Sequence, residues 1–149
     1  MTWINKSWVD IDSNINDLLG FIYRIDLEGG KYYYGRKQFW SKRGSYWYES
    51  DWRTYQSSSN TILSNPESIL QKSILAVFES KSAIRYAEAL AIILSGAYED
   101  RDRGINWSFA GCKGTLKLSD RDKEQLERLR TMVGDWRINW THWEIKSSE

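Results

Sequence analysis

One cysteine, one proline and one histidine are all that 149 residues contain of these types. The lone Cys112 excludes an internal disulfide and fits a reducing compartment. The lone His142 removes most zinc sites, and every standard Ser-His or Cys-His arrangement that does not use it. In its Trp-rich surroundings it reads as a packing or surface residue. No apolar run approaches the ~20 residues that cross a bilayer, and the N-terminus lacks the basic-then-apolar pattern of a secretion signal. A cytoplasmic protein with no membrane partner is expected. Net charge is scarce too. Lys and Arg number 21 against 20 Asp and Glu, leaving +1, which does not announce a nucleic-acid binder.

Aromatic residues are abundant. Nine Trp and nine Tyr, within 41% hydrophobic residues, suit a core built from few large side chains, or stacking. The length fits one domain with a small appendage. Charge is uneven along the chain: between Arg24 and Arg43 six basic residues face only Asp26 and Glu28. That surface suits phosphates, or equally an edge strand guarded by Lys and Arg.

Phe21 to Leu27 and Tyr32 to Gly35 are aromatic and branched runs joined by Glu28-Gly29-Gly30, which spells a β-hairpin. Gly20-Phe21-Ile22-Tyr23, then Tyr33-Tyr34-Gly35 with Tyr34 eleven residues after Tyr23, resembles the paired signature of the GIY-YIG nucleases. The continuation Gly35-Arg36-Lys37-Gln38-Phe39-Trp40-Ser41-Lys42, then Glu49 to Tyr55 and Ser57-Ser58, is similar to the phage-encoded Seg-type homing endonuclease branch. The resemblance covers roughly residues 19 to 110.

The rest of the chain completes an α/β (α+β) reading. Residues 1 to 19 read as a cover strand or arm. Lys37 to Tyr48 reads as a loop with a short irregular helix, and Lys72 to Phe78 as a central strand. Ser82 to Tyr98 reads as a helix capped by Ser80 or Ser82, with Ala83, Ala87, Leu90, Leu94 and Ala97 as its apolar stripe. A charged helix from Ser119 to about Met132 is ended by Gly134. Trp136, Ile138, Trp140 and His142 then alternate like a strand. The expected architecture is a small three-stranded, mostly antiparallel sheet flanked by helices. Residues 1–112 are read as the core with its N-terminal arm, and 113–149 as a helix-plus-strand extension packed on it.

Phosphodiester cleavage needs an oriented water, neutralised phosphate charge and a stabilised leaving oxygen. Glu88 lies at the border of the helix's apolar stripe. By spacing alone it reads as a solvated glutamate near Arg85; the resemblance makes it the metal ligand. One hard carboxylate suits a single Mg²⁺ or Mn²⁺ that keeps several waters. The resemblance implies that one of Tyr23 and Tyr34 receives the proton of the water and the other positions it. Tyr23 is taken as the base and Lys37 as the cation that lowers its pKa. The two tyrosines are expected to meet on one face of the hairpin. The phosphate-contacting arginine falls on Arg43 or Arg53, between which the sequence does not choose. Arg36, Lys42, Arg53 and Asn106 complete a nucleic-acid-binding set. The expected function is metal-dependent DNA endonuclease, with room for a homodimer. The alternative is a silent nuclease fold that binds nucleic acid or a host protein. A structural Trp-rich domain would leave the hairpin and Glu88 spacing unexplained.

Overall fold

Branched and aromatic side chains fit a pleated, buried surface, and the two richest runs of them lie side by side in the sheet. The computed structural model describes residues 2–100, 102–106, 112 and 114–147, with side chains described as far as residue 134. In chain order the elements are β1 (Trp3–Asn5), α1 (Ile11–Asn14), β2 (Gly20–Leu27), β3 (Tyr32–Gln38), β4 (Trp40–Arg43), β5 (Tyr46–Glu49), α2 (Asn60–Ser64), β6 (Ile69–Phe78), α3 (Lys81–Ser95) and α4 (Asp120–Ser147). The main sheet runs β1-β6-β2-β3. Strand β2 is antiparallel to β3 and β6, which gives the three-stranded sheet expected. The N-terminal arm adds β1 as a fourth strand, parallel to β6.

Two expectations are corrected. The Lys37 to Tyr48 segment is not a loop with a helix: β4 and β5 form a separate two-stranded antiparallel ribbon. The C-terminal strand does not exist either, because α4 continues through Gly134 to Ser147. Trp136, Trp140 and Trp143 also recur at spacings of four and three, the helical period. The alternation of aromatics was therefore ambiguous, and Gly134 interrupts nothing.

The sheet separates two apolar layers. Helices α3 and α4 cover one face, where Ile22, Tyr34, Phe78, Ala87, Leu126 and Leu129 pack. Loops and the short helices cover the other, around Phe21, Tyr23, Phe39, Trp52 and Ile62. A β-bulge switches β6 between the layers. Ile22 pairs with Ala76 but Tyr23 with Ile74, so Leu75 is an extra residue. Leu75 and Ala76 thus both join the helical layer, while Ile74 and Val77 join the other.

Helix α3 begins at Ser80, whose hydroxyl accepts from the Ala83 N–H at 3.2 Å. It ends at Gly96 in the left-handed region, φ 79°. Helix α4 begins with a reciprocal cap between Ser119 and Asp122. Asp122 also accepts from the Glu79 N–H at 2.9 Å. The buried Gln125 carboxamide accepts from Val77 N–H at 2.9 Å and donates to the Ser7 carbonyl at 3.1 Å, tying α4 to the sheet. No helix among the described residues is long and apolar enough to cross a membrane.

Candidate active site

The hairpin register decides which side chains meet. Tyr23 lies opposite Gly35, Arg24 opposite Tyr34, and Ile25 opposite Tyr33. Opposed residues share a face and successive residues alternate. Tyr23, Tyr33, Gly35 and Lys37 therefore emerge on one face, and Arg24, Tyr34 and Arg36 on the other.

On the first face the Tyr23 ring crosses Gly35. A Cβ on Gly35 would sit 2.4 Å from both the Cζ and the hydroxyl oxygen of Tyr23, so only glycine permits the crossing. The ring is fully buried, 6.1 Å from the centroids of Tyr33 and Tyr55. Ser57 and Tyr55 stand beside its hydroxyl, neither at hydrogen-bond geometry. Burial, then the neighbouring Tyr33 and Tyr55 phenols, push its pKa well above the ordinary value. Tyr33 is half-buried, with its hydroxyl 3.3 Å from Ser58 Oγ. Its pKa is also raised, by burial first and by Glu88 among its neighbours.

The segment from Asp51 to Ser58 arches over this face. Lys37 Nζ pairs with Asp51 at 2.7 Å and lies 4.1 Å from the Tyr55 ring centroid. From below, the buried Lys72 donates to the Tyr55 carbonyl at 2.6 Å. Burial lowers the Lys72 pKa.

The free edge of β3 is closed residue by residue. Tyr32 N–H donates to the Arg103 carbonyl at 2.9 Å, and Ile105 N–H donates to the Tyr32 carbonyl at 3.1 Å. The Asn106 carboxamide mimics a peptide two residues on. It accepts from Tyr34 N–H at 2.9 Å and donates to the Tyr34 carbonyl at 2.7 Å. At Arg36 the partner is Glu88, from α3. Its Oε1 stands 3.9 Å from the guanidinium Nε. Desolvation raises the Glu88 pKa against the opposing pull of Arg36.

The family model described as "Putative endonuclease segE, GIY-YIG domain" matches residues 3–111. The chain belongs to the GIY-YIG family. No curated protein and no solved structure matches it. The matched family is described as an endonuclease domain, and α4 lies beyond the matched residues.

Read letter by letter, the YIG triplet is Tyr33-Tyr34-Gly35, so its tyrosine is Tyr33. This corrects the pairing of Tyr23 with Tyr34. Tyr34 is fully buried on the opposite face, and its hydroxyl accepts from Arg24 Nη1 at 2.7 Å. The turn holds the missed signal: an even register sum puts all odd-numbered hairpin residues on one face. Asn106 was expected to touch nucleic acid, but it is buried and both ends of its amide serve Tyr34. Neither candidate arginine stands beside Glu88. Arg53 is held by Asp12 at 2.6 Å and Glu49 at 3.3 Å, while Arg43 ends β4 in the ribbon with Lys42. The cation beside Glu88 is Arg36. Tyr33, Asp51, Tyr55 and Ser57 are the site residues that sequence reasoning passed over. The last three lay inside the Glu49 to Ser58 block that marks the family resemblance.

Among the described residues no three His, Cys, Asp or Glu side chains cluster as a metal centre. Glu88 is thus a single carboxylate, 14% exposed, whose one cationic contact is a loose 3.9 Å pair. A hard oxygen donor with spare lone pairs fits Mg²⁺ or Mn²⁺, which complete their shell with water and phosphate oxygen. The GIY-YIG glycines have packing roles. Gly20 would drive a Cβ to 2.3 Å from the Lys37 carbonyl, as Gly35 would into Tyr23.

Proposed function

We propose that the chain is a Seg-type phage DNA endonuclease that hydrolyses phosphodiester bonds with Mg²⁺ or Mn²⁺ held by Glu88, in the host cytoplasm. The observation that carries this reading is the Arg36–Glu88 pair at the edge of β3, with Tyr33 on the opposite face of the strand still near enough for Glu88 to raise its pKa. In this reading residues 1–112 are the nuclease core and 113–149 an extension packed on it through α4.

Hydrolysis forms a bond from water oxygen to phosphorus and breaks the bond from phosphorus to one ester oxygen, which leaves with a proton. When bound, the divalent cation neutralises charge on the phosphate and the departing oxygen. Arg36 grips a non-bridging phosphate oxygen with its planar fork. The half-exposed Tyr33 hydroxyl orients the attacking water. A phenol whose pKa is raised stays protonated at neutral pH, so Tyr23 acts as a hydrogen-bond donor and spacer rather than as the base. Lys37 adds positive potential and, with Asp51, fixes the segment over Tyr23.

Plasmid nicking measured with Mg²⁺, with EDTA, and with Glu88→Ala matched for folding by circular dichroism tests this. Metal-dependent cleavage that disappears in the variant is expected. Absence of cleavage across divalent metals and DNA forms, in folded protein, would overturn it and leave a nuclease fold that binds without cutting.

A further inference from the structure

We propose that the β4–β5 ribbon is the endonuclease's duplex-reading element, entering the major groove next to the phosphate held at Arg36 and Glu88. The proposal rests on the nuclease reading above and adds a contact surface and its partner.

The ribbon is fastened at its root and bare at its tip. Trp40 Nε1 donates to the Ile15 carbonyl at 3.0 Å, Ser50 Oγ donates to the Gln38 carbonyl at 2.7 Å, and Trp52 Nε1 donates to Glu49 at 2.8 Å. Beyond that, β5 is exposed along its whole length. Tyr46 is 69% exposed and Trp47 50%. The register places Arg43 and Tyr46 on one face with Tyr48, and Lys42 and Trp47 on the other. Tyr46 and Tyr48 stack at 17°, and Lys42 Nζ lies 5.4 Å from the Trp47 ring centroid. A two-stranded ribbon with no packed face is marginal by itself, and the aromatics exposed on both of its faces belong to neither apolar layer of the core. Something outside the chain accounts for them.

Charge and size say what. The tip bears Lys42 and Arg43 and no acid, while Glu49 at the root is occupied by Trp52 and Arg53. The partner is therefore anionic and offers flat apolar surface beside its charge, as base edges do beside phosphates. Two strands ~4.8 Å apart with side chains on both faces fit the ~12 Å major groove, which admits a β-ribbon, and overfill the ~6 Å minor groove. The direction is set as well. Only the fully buried Phe39 separates β3, which carries Arg36 and Lys37, from β4.

The test is binding of a fluorescein-labelled duplex, taken from a plasmid cut by the wild type or, where none is cut, of mixed sequence, in EDTA so that no cleavage intervenes. The variants are Lys42→Ala with Arg43→Ala, and Tyr46→Ala with Trp47→Ala, each checked for an unchanged melting temperature. The cationic pair should lower the slope of log affinity against log salt by about 2, one per phosphate contact. The aromatic pair should weaken binding about tenfold. Wild type should shield guanine N7 from dimethyl sulfate, and the variants should lose that shielding. Unchanged affinity, slope and shielding in the variants, while wild type still binds and cuts, would overturn the ribbon and leave the nuclease. Shielding of adenine N3 instead, or a ribbon that affects only capture of a protein, would overturn it equally. Ribbon-dependent binding without cleavage would uphold the ribbon and overturn the nuclease. A wild type that neither binds nor cuts would overturn both.

Discussion

Tyr23→Phe should make this protein more stable and less active. The hydroxyl is buried and makes no hydrogen bond. Taking a hydroxyl out of water without a partner costs roughly 1–3 kcal/mol. Phenylalanine keeps the ring contacts with Trp3, Phe21, Tyr33 and Tyr55. The void left by one oxygen, at about 24 cal/mol per Å³, returns only ~0.3 kcal/mol of that. A net gain of about 1–2 kcal/mol remains, which for a chain of this size raises the melting temperature by roughly 2–6 °C. Urea unfolding monitored by circular dichroism reads the gain, and plasmid nicking reads the loss of the positioning hydroxyl. Tyr33→Phe is the control. Its hydroxyl is half-buried with Ser58 beside it, so it should lose activity without gaining stability. A Tyr23→Phe protein less stable than wild type by ~1 kcal/mol or more would show the hydroxyl to be satisfied, and would refute the argument.

Three further outcomes follow from the same geometry. Gly35→Ala, which presses a methyl into the Tyr23 ring, should cost about 1–3 kcal/mol in urea unfolding. Asn106→Ala leaves the buried Tyr34 peptide without partners and should cost about 3 kcal/mol. It should also speed hydrogen exchange at the Tyr34 amide, while DNA affinity well below the melting point stays unchanged. For Glu88 the sign is set by desolvation. Its raised pKa means that folding disfavours the carboxylate, so its contribution is favourable below the ordinary carboxylate pKa and is lost as pH rises. Glu88→Gln should therefore melt above wild type at neutral pH, with the gap closing in acid. Mg²⁺ should raise the melting temperature of wild type alone.

The parts of the fold legible in the sequence were those set by local periodicity. The hairpin from Gly20 to Gly35, the branched run ending at Phe78, and the Ser80 cap with its alanine stripe each need only neighbours in sequence. What escaped depends on pairing across distance. Which of Tyr33 and Tyr34 faces Tyr23 is fixed by strand register, and a one-residue change of register would exchange them. Asn106 looked like a polar loop residue because its partner lies 72 positions away. Arg53 looked available because Asp12, 41 positions away, was not known to hold it. The ribbon was misread since Lys37 to Tyr48 mixes charge with aromatics, a pattern that strands with no buried face share with loops. Gly134 looked like a stop because glycine often ends a helix, but α4 runs through it.

The closure of the β3 edge by Asn106 has a practical consequence for anyone substituting that residue. An uncovered strand edge is a template on which other chains add. Asn106→Ala would free the Tyr34 N–H and carbonyl to recruit a foreign strand. Such a protein would be prone to self-association, so gel filtration to isolate the monomer comes before any DNA titration of that variant.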